Sequence, residues 1–331
     1  MSAMGGTTGV TGTIEPMLNP ARTTMVPVAS HLPDVLPTDR LNERGLMRRP
    51  WRDDLRRIPT FRNGLATGGA VLQTFGVVIA AGVIDRWWAW IAAFVLMGRG
   101  HALLNILAHE AAHRLLFPHR RLNDVVGKWV LGYPTLQPFA TYRRSHFAHH
   151  RDEMGPDEPD LGLYRGYPIS RQSWHRKLWR DATGHSAWKN LRALGGAARK
   201  KYREALAIFA VQAVLLAASV AAQRPIAYVV WLGSWCTLWK VSNRLRAIAE
   251  HGGMERSTDR RHTTHVIRQG PVARFWMVPY NTGWHLAHHV DMGVPWPNLP
   301  RFHDELVASG WVTPDIEYPS YRAFWRACSS G

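Results

Sequence analysis

Nine histidines in four groups offer this chain its most distinctive chemistry. His109 and His113 stand four apart in AHEAAHRLLF, and His146, His149 and His150 fall in RSHFAHH. His251 closes RAIAEHGG, and His285, His288 and His289 fall in GWHLAHH. On a helix, spacings of three and four put imidazoles on one face, where they can grip one ion. The adjacent histidine of H-x-x-H-H points about a quarter-turn away and can reach a second ion. HEAAH by itself matches the zinc-protease pattern H-E-x-x-H, with Glu110 as general base. That reading needs one zinc and one further ligand, and leaves most of the clustered histidines without a role. Nine imidazoles exceed what one tetrahedral zinc takes, so they suit two metal ions with several ligands each. Imidazole fits Zn, Cu, Fe or Ni, which leaves the metal open. His31, His119, His175, His185, His262, His265 and His303 stand outside these groups and read as ordinary surface or core residues.

The elements that must position these groups are apolar. Leu65 to Ile84 and Ala205 to Ala222 carry no charge, and each is long enough to cross a bilayer core. Trp87 to Ala108 is interrupted by Arg99 and His101, and Ile226 to Ala249 continues in helical fashion through Lys240, Arg244 and Arg246. Nine Lys/Arg precede the first run, eighteen lie between Arg114 and Arg203, and eight follow from Arg256. The two short connections hold only Arg86 and Arg224. The positive-inside rule then puts both termini and the middle segment in the cytoplasm. The expectation is an all-α, multi-pass protein of the cell (inner) membrane. It has four transmembrane helices in two hairpins, about 65–84 with 87–108 and 205–222 with 226–249. Cytoplasmic segments 114–204 and 252–331 form a helical cap in which all four histidine groups converge. Residues 1–45, rich in Thr, Pro, Gly and Met, read as a loosely attached tail without a signal peptide, and 46–331 as one domain.

Composition agrees. The net charge of +17 asks for an acidic partner, and sixteen tryptophans suit a membrane interface. The basic, Trp-bearing stretch from Ser170 to Arg203 reads as amphipathic helices on anionic lipid. It carries no nucleic-acid-binding signature, so no nucleic acid is expected. Two cysteines, Cys236 and Cys328, are too few for a disulfide framework or an iron–sulfur cluster.

The ordered set HEAAH, HFAHH and HLAHH resembles the three histidine boxes of the membrane fatty acid desaturase and hydroxylase superfamily, and His251 matches that family's additional ligand. HALLNILAHEAAHRLLF, YRRSHFAHHRD and VPWPNLPRFHDEL are similar as well, so the likeness covers about residues 65 to 310. The resemblance implies a non-haem di-iron centre held by His109, His113, His146, His149, His150, His251, His285, His288 and His289. It also implies an enzyme that uses O2 and two electrons on unactivated C–H bonds. The first expectation is a fatty acid desaturase acting on an acyl-lipid or acyl-CoA. A hydroxylase or ketolase of a lipid, carotenoid or alkane is the alternative, and a zinc metalloprotease the distant one. Ala247 stands where some members carry an Asn, so any water-mediated ligand is unassigned. No H-P-G-G haem signature is present, so electrons are expected from a separate ferredoxin or flavoprotein.

Several further residues have expected roles. Glu110, Asp152, Asp291 and Asn281 are candidates to hold the outer nitrogens of ligating histidines. His101 and Asn105 share a helical face with His109 and are candidates to line a catalytic cavity. Lys240, Arg244 and Arg246 are candidates to bind a phosphate or lipid headgroup, or to snorkel to the interface.

Overall fold

Two long helices follow the first two apolar runs: α1 (Thr60–Ile84) and α2 (Trp87–Ala112). They are joined by Asp85-Arg86, with Asp85 in the left-handed region, and pack along each other. The structure, a computed structural model, describes residues 24–34 and 37–331. The expected tail up to residue 23 therefore lies outside the described residues. Its described remainder is packed, because it carries apolar side chains that find a core. Met25 is buried, with its N–H on the Gly253 carbonyl, and Leu41 is buried beside Leu306 and Trp311.

The fold is mostly helical. After α2 come α3 (Phe139–Arg151), α4 (Arg171–Ala182), α5 (His185–Arg199), α6 (Arg203–Ala221), α7 (Ile226–Cys236), α8 (Leu238–His251), α9 (His285–Val290) and α10 (Leu299–Ala308). Two-residue strands β1 (Val266–Ile267) and β2 (Glu317–Tyr318) pair in parallel. Among the described residues, three helical stretches are long and apolar enough to cross a membrane: Trp51–Ile84, Trp87–Ala112 and Arg203–Ala221. The fourth run differs from the continuous helix expected of it. It breaks at Thr237 into an apolar α7 and an amphipathic α8. Thr237 Oγ1 bonds back to the Gly233 carbonyl at 2.7 Å, an arrangement that bends helices. Ladder bonds persist on both sides of the break, from Thr237 to Gly233 and from Val241 to Thr237.

α2 changes character along its length. Trp87, Trp88 and Ile91 are exposed, whereas every residue from Gly100 to Ala112 is buried. Small residues permit the close packing. A methyl on Gly98 would lie 2.8 Å from Leu238 Cβ, and one on Gly100 would lie 2.8 Å from Thr74 Oγ1.

Candidate metal centre

The histidines are carried by ends of helices whose ends are tied down. The last carbonyls of α2 have no partner within the helix. Arg143 of α3 donates to the carbonyls of Ala111 and Ala112 at 2.9 and 3.0 Å and pairs with Asp124. Asn123 donates to Ala111 as well, and Asn63 to Leu115 and Leu116. At the start of α3, Glu204 of α6 accepts from the N–H groups of Ala140 and Thr141, where a carboxylate complements the helix dipole. His109, His113, His146, His149 and His150 thus have defined positions before any ion is considered.

The nine histidines come together in two sets. His109, His113, His146, His150 and His288 have ring nitrogens within 4.8 Å of one another, and so do His149, His251 and His289. His285 joins the second set, with Nε2 at 3.1 Å from His251 Nε2 and 2.9 Å from His289 Nε2. Each H-x-x-H-H box is shared between the sets. His146 and His150 go to the first and His149 to the second; His285 and His289 go to the second and His288 to the first. The pair four apart stays together, and the histidine three after the first crosses over.

The donor set fits metal ions. Burial, then the neighbouring imidazoles, pushes His113, His146, His150, His285, His288 and His289 well below the ordinary histidine range. They are neutral at neutral pH, the form in which an imidazole can ligate a metal. Outer acceptors hold several Nδ1 atoms. Glu153 is 2.5 Å from His289 Nδ1, the Thr263 carbonyl 2.8 Å from His251 Nδ1, and Glu158 contacts His149 Nδ1. An Nδ1–H donated outward leaves the Nε2 lone pair facing inward. Inward Nε2 atoms meet at 2.8 Å (His113 and His146), 3.1 Å (His146 and His150) and 3.2 Å (His150 and His288). Both nitrogens of His109 and Nδ1 of His288 are buried without a hydrogen bond. Crowded lone pairs and orphaned nitrogens are what a bound cation would satisfy.

The other expected residues are distributed differently. Glu110 Oε1 lies 3.5 Å from His109 Nδ1, and its Oε2 accepts from the Trp296 N–H. Asp152 pairs with Arg256 at 2.6 Å and Asp291 with Arg56 at 2.8 Å, so both turn to arginines and away from the imidazoles. Asn281 donates to the Trp296 carbonyl. His101 bonds the Trp231 carbonyl at 3.0 Å. Asn105 lines a cavity of about 490 Å³, and a smaller chamber of about 130 Å³ is walled by His109, His146, His149, His251 and His285. Tyr142, Asp160, Leu163 and Asn243 line both spaces. Sequence reasoning missed Glu153 and Glu158. Their one signal was the acidic run RDEMGPDE directly after the second box, within which Asp152 looked equally suitable.

With the geometry in hand, comparison with known proteins gives a consistent result. The family model for fatty acid desaturase matches residues 85–323. A dihydrorhizobitoxine desaturase of Bradyrhizobium elkanii is 26% identical over 249 residues, 68% of this chain and 70% of that protein. Delta(12) fatty acid desaturases of Mortierella isabellina and Mortierella alpina are each 35% identical over 66 residues, 20% of this chain and 16% of theirs.

Proposed function

The chain belongs to the fatty acid desaturase family, and from that premise we propose that it is a membrane di-iron oxidoreductase that desaturates an acyl chain with O2 and two electrons. The observation that carries the reading is the division of nine histidines into two facing sets at one end of the helices. His109, His113, His146, His150 and His288 would hold one iron, and His149, His251, His285 and His289 the other. When bound, the iron pair supplies the oxidising power that an unactivated C–H bond requires and that no side-chain acid or base provides.

The chain's own residues orient and enclose. Glu153, Glu158 and the Thr263 carbonyl hold outer imidazole protons and keep the inner nitrogens free as donors. Tyr142, Leu163, Tyr164 and Thr282 close the small chamber beside the histidines and limit water there. Two C–H bonds break and one C=C bond forms. O2 leaves as two waters, taking the two hydrogens, two electrons from the donor and two protons.

Four spans in two hairpins would place both termini and both polar segments on the cytoplasmic side of the cell membrane, with residues 46–331 as one domain. The Lys/Arg bias between segments and connections supports this topology. The basic cytoplasmic face suits an acidic electron donor such as a ferredoxin or flavoprotein.

The chain purified from iron-replete cells is expected to carry about two irons, a metal that imidazole donors suit. Its host's lipids and free acids should contain an O2-dependent product lighter by two hydrogens. His149→Ala should remove that product. Fewer than about two irons per chain together with no such product would overturn the reading.

A further inference from the structure

The cavity that shares walls with the histidine chamber is not a hydrocarbon tunnel. Its walls include Thr135, Gln137, Asp160, Asp181, Asn190, Lys240, Asn243 and Arg244 beside Trp235 and Trp239. An acyl tail buried against such walls forfeits much of the roughly 0.8 kcal/mol that each methylene gains in an apolar environment.

The three basic residues of α8 are not equivalent there. Arg244 is spent on Asp181, which also takes the Ser186 hydroxyl, and Arg246 lies 3.6 Å from Glu250. Lys240 has no carboxylate within 4.0 Å among the described residues. Its Nζ sits 3.7 Å from the centre of the Trp235 ring. With its amide oxygen turned toward Lys240, Asn190 accepts from Nζ at 3.2 Å and donates to the Ser186 carbonyl. A half-buried lysine held by a ring and an amide, in the wall of a cavity, is a cation awaiting an anion. Ala247, two turns further along α8, lines the histidine chamber. By helical rise it stands about 10 Å from Lys240.

We propose that the substrate of this site is a compact free carboxylic acid, its carboxylate docked on Lys240 and its reactive carbons in the histidine chamber, which α8 reaches about 10 Å further along its axis. The proposal rests on the desaturase reading above and narrows its substrate. It excludes a glycerolipid whose headgroup stays in the bilayer, because the anchoring charge lies inside the protein. The two protein-facing ends of the molecule are thereby assigned: Lys240 sets the register, and the distance from Lys240 to the chamber selects which bond is presented.

The test is equilibrium binding of octanoate and octanol to the purified, iron-loaded full chain, followed by turnover of octanoate and of dioleoyl phosphatidylcholine vesicles with a reducing donor. Octanoate should bind at least tenfold more weakly to Lys240→Met than to the unaltered protein, with iron content equal in both. Lys240→Arg should restore a substantial part of the binding, and octanol should not distinguish the variants. Equal octanoate binding by Lys240→Met would overturn the proposal. Desaturation of the phosphatidylcholine at the same rate by Lys240→Met would overturn it too, while leaving the desaturase reading intact. Lys240-dependent octanoate binding without oxygen-dependent product from any substrate would instead count against the desaturase reading.

Discussion

Two cavities of about 490 Å³ each lie one helical turn apart along α7, and they differ in nearly everything but size. Trp231 is in the wall of one and Trp235 in the wall of the other. The first is lined by Phe75, Val78, Ile79, Leu215, Ala227 and Tyr228, between helices whose outer faces are exposed and apolar. Its one charged lining residue among those described, Arg224, is paired with Asp85 at 2.9 Å. The second is polar, carries Lys240, and shares four wall residues with the histidine chamber. His101 sits at the boundary, bonded to the Trp231 carbonyl and packed against the Trp231 ring. The larger lesson is that apolar space in a membrane protein is a poor guide to where its chemistry occurs. The apolar cavity resembles the bilayer around it, whereas the polar one is the exception that the fold has to maintain.

The comparison can be broken most directly by filling each space. Leu163→Trp, in the wall common to the polar cavity and the histidine chamber, should lower turnover by about a hundredfold, the cost of misplacing a reacting atom. Ala227→Leu in the apolar cavity should leave turnover unchanged, and iron content should be unaffected in both variants. Equal losses from the two would erase the distinction. A smaller effect is expected behind the histidines. Glu158→Gln should weaken iron binding by about 10- to 100-fold, measured by competition with a chelator. Asp152→Asn should change it little, because Asp152 holds Arg256 instead of an imidazole.

A last effect is read in stability and its pH dependence instead of in turnover or iron binding. His303, buried and stacked on Trp284 beside the third box, is pulled by burial to about 4. Its folded value lies below its unfolded one, so the unfolded chain binds the extra proton first. Stability from this group is complete above about pH 6.5 and is lost progressively as pH falls toward 4. The loss should reach about 3 kcal/mol. His303→Phe should flatten that part of the stability–pH curve in chemical denaturation, while substitutions around the apolar cavity should not.

Much of the centre was legible before any fold was known. H-x-x-H-H at two places, HEAAH and a histidine at the end of an apolar run pointed to two ions, because side chains four apart share a helical face whatever the helix packs against and the histidine adjacent to them turns away from it. Charge-free runs long enough for a bilayer implied membrane helices for the same local reason. Relations between segments were not legible. Asp152 and Glu153 are adjacent, and only the packing of residues 260–263 and of α9 gives Glu153 the imidazole and leaves Asp152 to Arg256. The bend at Thr237 lies where an apolar helix meets polar neighbours. It sets α8 so that Arg244 and Arg246 find acids and Lys240 does not. Spacing along one helix is a property of the chain itself, whereas the partner of a buried charge depends on which segments the tertiary fold brings within about 4 Å.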